Sequence, residues 1–142
     1  MRLNKNLLYL LTLLEAIEKI RLYTQDFSSS EIFFEANAQK EFNATLNLLI
    51  AIGEETKKLG ADLKSKAPEI NWGAITGLRN ELSHNYRGVD PDIIWDIVQN
   101  LLEPLKDACI TFLKETLSDK IYLFKLLESP YYRNIQYLKD TL

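Results

Sequence analysis

The sequence predicts an all-α protein folded as a single domain over residues 1–142. Three observations lead there. Apolar residues recur at helical spacing along most of the chain, with charged residues between them. Helix-start residues (Ser, Asn or Asp, twice followed by Pro) stand ahead of several of these stretches. The composition, 46% hydrophobic and 26% charged, is that of a globular chain and excludes a disordered one. At 142 residues the chain is long enough to bury a core of its own.

Taken in order, Met1-Arg2-Leu3-Asn4-Lys5-Asn6 followed by Leu7 to Leu14 imitates the basic and apolar regions of a signal peptide. No small-residue cleavage site follows, and the pattern runs on through Glu15, Ile17, Lys19, Ile20 and Leu22 as one amphipathic helix. The apolar run is also too short to cross a bilayer, so no membrane partner is expected. Ser28-Ser29-Ser30 offers a cap for a short helix at Glu31-Ile32-Phe33-Phe34. From Ala38 to about Leu63 the spacing predicts one long helix, with Phe42, Leu46, Leu49, Ile50, Ile52 and Leu59 as its apolar stripe. Within it, Glu54 and Glu55 read first as solvent-facing partners of Lys57 and Lys58; the second reading makes Glu54 a neighbour of the functional site. Lys57, Lys58, Lys64 and Lys66 form a basic cluster, a solvated face or a guide for an anionic ligand.

Ala67-Pro68-Glu69-Ile70 reads as a turn, after which Asn71 caps a helix beginning at Trp72. Gly73 and Gly77, four apart on that helix, suggest close approach of another backbone, which a dimer contact would use. Asp90-Pro91-Asp92 is a sharp helix start, and Ile93, Ile94, Ile97, Val98, Leu101 and Leu102 form the stripe behind it. Pro104 should kink or divide this helix near Glu103, leaving Leu105 to Leu117 as a further amphipathic stretch. About residues 1–117 make the core bundle; Ser118-Asp119 and Ser129-Pro130 look like helix starts, so residues 118–142 form a helical extension read as Lys120 to Glu128 and Tyr131 to Leu142. Its aromatics, Tyr122, Phe124, Tyr131, Tyr132 and Tyr137, either pack onto the bundle or stack on bases.

One stretch concentrates chemistry: Gly77-Leu78-Arg79-Asn80-Glu81-Leu82-Ser83-His84-Asn85-Tyr86-Arg87-Gly88-Val89-Asp90, with the only histidine of the chain. An imidazole can take a proton and return it near neutral pH. A guanidinium forks onto two phosphate oxygens and stabilises the charge that builds during phosphodiester cleavage. RNA brings its own nucleophile, the 2′-hydroxyl, so a metal is optional beside Arg79 and His84. No His, Cys or paired-carboxylate cluster stands at ligand spacing.

The spacing sets a geometric condition. Residues five apart differ by about 140° around a helix, so Arg79 and His84 do not share a face, whereas Asn80 and His84 do. Either the helix ends at His84, with Gly88 well placed to stop it after Tyr86, or two copies of the motif complete each other across a dimer. The dimer is the preferred solution, with the helix end contributing.

Arg79-Asn80, then His84-Asn85-Tyr86 and Gly88-Val89-Asp90, closely resemble the HepT toxins of the HEPN superfamily, whose signature is Arg-X4-His-X-Tyr. Ile52-Gly53-Glu54-Glu55, Pro68-Glu69-Ile70-Asn71-Trp72, Ile75 and Gly77-Leu78 resemble the family's other landmarks, over roughly Leu7 to Lys106. The resemblance implies an antiparallel bundle of four to five helices that forms a homodimer. It implies a metal-independent ribonuclease without cofactors, the toxin of a type VII toxin-antitoxin pair. The implied partners are an RNA substrate, such as tRNA or mRNA, and a minimal nucleotidyltransferase antitoxin, MntA, which silences the toxin by AMPylation. Carried over by position, Arg79 and His84 are the catalytic pair, Asn80 is a supporting polar residue and Tyr86 is the AMP acceptor. Arg87, Lys57 and Lys58 are candidate RNA contacts.

A net charge of −3 is mildly unfavourable for nonspecific nucleic-acid binding, so local charge must supply it. The single Cys109 cannot form an intrachain disulfide, which fits a reducing cytoplasm. The alternative reading is a non-catalytic nucleotide-binding module or scaffold subunit of a nucleotidyltransferase complex.

Overall fold

Helix α1, Arg2–Thr24, is the axis of the molecule, seen in a computed structural model that describes residues 2–84 and 88–142, with side chains from residue 5. Its spacing reads as amphipathic, yet Leu10, Leu11, Leu13, Leu14, Ile17 and Ile20 are all buried. At about 100° per residue these positions cover about half of the helix circumference, and Glu15 and Ala16, also buried, extend the covered arc beyond that. The helix is enclosed because α3 (Lys40–Lys58), α8 (Leu102–Thr116) and a 3-10 turn at Pro130–Ile135 pack on different sides of it. The described residues form helices and turns, an all-α architecture.

After α1, the Ser29 hydroxyl accepts the Ile32 N–H at 3.2 Å and starts α2, Ser30–Glu35, as the serine run predicts. Phe33 on α2 is fully buried, with its ring 5.9 Å from Phe27, 5.5 Å from Phe42 and 5.6 Å from Trp95. The chain then reverses through Asn37, Ala38 and Gln39, all left-handed, with φ of 51°, 55° and 66°. Each such residue costs about 1–2 kcal/mol. The aromatic cluster on either side holds the reversal in place, and α3 therefore starts at Lys40 rather than Ala38.

The single helix expected to reach Leu63 ends at Lys58. Leu59 and Gly60 are extended, and α4 (Ala61–Lys64) follows. Gly60 is a poor helix former, and across the bend Leu59 and Leu63 both stay in the core, where a continuous helix would also have placed two residues four apart. Trp72 closes the next turn: its indole N–H points at the carbonyls of Lys64 (3.1 Å) and Ala67 (3.0 Å), and its ring stacks on Phe112. Asn71 caps α5 (Trp72–Thr76) through Ala74 N–H, and α6 (Leu78–His84) follows across Gly77. Asp90 caps α7 (Pro91–Asp96) at Asp92 N–H, 2.9 Å away.

Between α7 and α8 lies a wide π turn, Ile97–Leu101. A proline ring clashes with the carbonyl four residues earlier, here Asn100, and the widened turn contains that position. The interruption expected from Pro104 thus falls one turn before it. Ile94 and Leu102 are buried, but Ile93, expected in the same stripe, is 56% exposed because no described element covers that flank of α7.

The extension comprises α9 (Lys120–Leu126), the Pro130–Ile135 turn and α10 (Leu138–Thr141), so the second predicted helix is split. Asp119 and Ser129 cap the first two as their sequence predicts. The extension is locked to α1. The buried Glu15 carboxylate accepts the Asn134 backbone N–H at 2.8 Å and its Nδ2 at 2.6 Å. Glu18 accepts the Tyr137 hydroxyl at 2.7 Å and pairs with Lys106 at 2.9 Å, while Lys106 sits 4.9 Å over the Tyr137 ring. Of the five aromatics, Tyr122, Tyr132 and Tyr137 pack on the bundle, whereas Phe124 and Tyr131 stay exposed.

Burial pushes the Cys109 thiol up to about 12, and burial followed by the Glu18 contact raises Tyr137 well above the ordinary phenol. Below the unfolded values of 9.0 and 10.0 both groups are protonated in both states, and their stabilisation is fully present. As pH rises past those values the unfolded chain releases protons that the folded chain keeps. Stability should fall by up to about 1.4 kcal/mol per pH unit for each group. Denaturant unfolding between pH 8 and 11 checks this; Tyr137→Phe should flatten the slope, and an unaltered slope would contradict it.

No helix among the described residues is long and apolar enough to cross a membrane.

Candidate functional site

Helix α6 presents the chemistry-bearing stretch, and its inner face explains how. Leu78 and Leu82, four apart, are buried together with Ile75 of α5. Anchoring those positions leaves Asn80 and His84 on the outer face, both exposed, and Arg79 on the flank that meets α3. The expectation that Asn80 and His84 share a face holds within the helix, and Arg79 and His84 remain about 140° apart around it. Tyr86 and Arg87 lie outside the described residues, as does Asn85. Gly88, expected to end the helix, is exposed, and among the described residues other than its chain neighbours no atom lies within 4 Å of the position a Cβ would take.

The close backbone approach expected at Gly73 and Gly77 is made elsewhere within this chain. A Cβ on Gly73 would meet only Asn71 Oδ1 at 3.7 Å, and one on Gly77 would meet carbonyls of its own segment. Gly53 of α3 is the crowded glycine: a Cβ there would lie 3.0 Å from the Ile75 carbonyl and 3.1 Å from the Arg79 nitrogen. The absent side chain lets α3 lie directly against the α5–α6 backbone. The next residue, Glu54, then reaches Arg79, with Oε1 2.9 Å from Nε. Glu54 therefore takes the site-side reading, while Glu55 pairs with Lys58 at 3.4 Å as the surface reading has it. Both members of the Glu54–Arg79 pair are substantially exposed, at 39% and 55%, so the pair adds little to stability. Its effect is on where the guanidinium points.

The basic cluster is mostly engaged. Lys58 also lies 5.7 Å over the Tyr9 ring, Lys66 reaches Glu115 on α8 at 3.4 Å, and partial burial lowers the pKa of Lys64. Lys57 is exposed and makes no ion pair among the described residues. On the other flank of α6, Leu78, Glu81, Leu82, Val89, Ile93 and Ile94 line a groove of about 210 Å³ toward α7. Among the described residues no group of three or more His, Cys, Asp or Glu side chains is arranged to hold a metal ion.

The sequence favoured the surface role for Glu54, which the contact with Arg79 corrects, and it missed the packing role of Gly53. The available signal was a glycine in the middle of an otherwise strong helix, next to an acid.

Residues 13–112 match the family described as Ribonuclease HepT-like. A candidate RNase of Methanocaldococcus jannaschii is 36% identical over 92 residues, 65% of this chain and 74% of that one. The Thermococcus cleftensis protein named "Probable ribonuclease HepT" is 33% identical over 98 residues, 69% of this chain and 86% of its own length. A longer M. jannaschii protein, named as a gamma-glutamylcyclotransferase and candidate RNase, is 30% identical over 108 residues; the match spans 76% of this chain and 47% of that protein. No solved structure matches the chain.

Proposed function

From the premise that this chain belongs to the HepT-like ribonuclease family, we propose that it is an RNA endonuclease toxin whose reaction is carried by Arg79 and His84. The observation that supports this most is the placement of both residues at the surface of one short helix, fastened from beneath by Leu78 and Leu82. Among the described residues nothing gives the exposed imidazole a role in packing.

In the proposed reaction His84 takes the proton of the 2′-hydroxyl, and the freed oxygen attacks the adjacent phosphorus. The bond from phosphorus to the 5′-oxygen breaks, and the imidazole returns the proton to that leaving oxygen. Arg79 holds two phosphate oxygens and stabilises the added negative charge. Asn80, one turn before His84 on the same face, supplies a neutral hydrogen-bonding group beside it. Lys57, and Arg87 by its sequence position, draw in the RNA backbone, with Lys58 contributing more weakly because Glu55 holds it. These residues need no metal for the chemistry described.

Two chains complete the site. The 140° between Arg79 and His84 favours a symmetric pair in which the arginine of one copy serves the histidine of the other. The apolar groove beside α6, with Ile93 open on its rim, supports a subunit contact close to the motif.

Control is proposed to act through Tyr86. A partner nucleotidyltransferase attaches AMP to its hydroxyl, which places bulk and negative charge where an RNA phosphate must sit. The experiment is RNA cleavage by the purified chain in the presence of a chelator, with His84→Ala as the comparison. For control, protein made together with such a transferase should gain adenylate mass that maps to Tyr86; label found on another residue rejects that acceptor.

A further inference from the structure

We infer that Glu54 is a positioning residue for Arg79 in the cleavage reaction, holding the inner edge of the guanidinium so that its outer end is presented to phosphate. The inference rests on the role proposed above for Arg79.

Three features place the carboxylate. Helix α3 is fixed to the core by Leu49, Ile52 and Thr56, all buried. Gly53 brings its backbone against the nitrogen of Arg79, 3.1 Å from where a Cβ would be, so the spacing between the two helices is set at the residue next to Glu54. From there Glu54 Oε1 meets Arg79 at Nε, 2.9 Å away. Nε is the guanidinium nitrogen closest to the backbone. Contact at that edge leaves the two terminal nitrogens for a pair of phosphate oxygens. Arginine has a long side chain with many rotamers, and this one is 55% exposed. A fixed acid at its stem limits the directions it samples before substrate arrives.

The carboxylate also repels RNA, and this separates positioning from a bare charge effect. If Glu54 acted only as a negative charge, removing it would strengthen RNA binding and raise turnover. Positioning predicts the reverse for turnover. In Glu54→Gln, which keeps the size and drops the charge, kcat should fall by about 10-fold while KM stays level or decreases; in Glu54→Ala kcat should fall by about 100-fold. Neither variant should shift the unfolding temperature. In an Arg79→Ala background, Glu54→Ala should have no further effect on kcat.

The test is steady-state kinetics on an RNA oligonucleotide for the wild type, Glu54→Gln, Glu54→Ala, Arg79→Ala and the double variant Glu54→Ala/Arg79→Ala, with the Nε–H resonance of Arg79 followed by NMR. Wild-type kcat in Glu54→Ala, or an undiminished loss from Glu54→Ala when Arg79 is absent, overturns the inference. Should the wild type leave RNA intact, the proposed function fails by itself and the resonance decides the clamp. Faster solvent exchange of Arg79 Nε–H in Glu54→Gln then supports it, and an unchanged signal overturns it.

Discussion

Replacing His84 by alanine is expected to lower RNA cleavage by about 10²–10⁴-fold, the range set by losing a general acid-base group. Arg79→Ala should cost about 10²–10³-fold through lost charge stabilisation. Both side chains are exposed, so neither substitution opens a cavity, and the unfolding transition should stay where it is in the wild type. That combination distinguishes chemistry from structure: activity is lost in a protein whose circular dichroism and melting profile are unchanged. An alanine variant at His84 that still cuts RNA at the wild-type rate would remove the histidine from the reaction.

Deleting residues 118–142 is expected to unfold the protein, although the family match ends at residue 112. Leu123, Leu127, Ile135 and Leu138 are all buried. At about 1.5–3 kcal/mol for each such side chain, their loss approaches the whole 5–15 kcal/mol by which a domain of this size is stable. The deletion also uncovers one side of α1 and strips the buried Glu15 carboxylate of both Asn134 donors. A chain ending at Leu117 should lose its cooperative transition and bind a hydrophobic dye. Cooperative unfolding within a few degrees of the full chain would show that the extension is an appendage.

That dependence was only half visible in the sequence. The caps at Ser29, Asn71, Asp90, Asp119 and Ser129 could be read directly, because a helix start is a local event set by one side chain and its neighbours. What covers α1 is not local. Glu15 looked like one more solvent-facing charge on an amphipathic helix, since its partner lies 119 residues away. The same distinction holds at the site. The outer face shared by Asn80 and His84 follows from helical periodicity alone, whereas the Glu54–Arg79 contact depends on how two helices meet at Gly53. The left-handed run at 37–39 and the bend at Gly60 shortened a helix that apolar spacing had extended through both, because periodicity continues across a break whenever the residues beyond it also face the core.

The proposal that two chains share one site is tested most directly by mixing Arg79→Ala chains with His84→Ala chains under conditions where subunits exchange. If arginine and histidine come from opposite copies, half of the pairs are mixed and each mixed pair holds one intact site out of two. Cleavage should then return to about one quarter of the wild-type rate. A mixture that exchanges subunits and stays as inactive as either variant alone would contradict a site built between two chains.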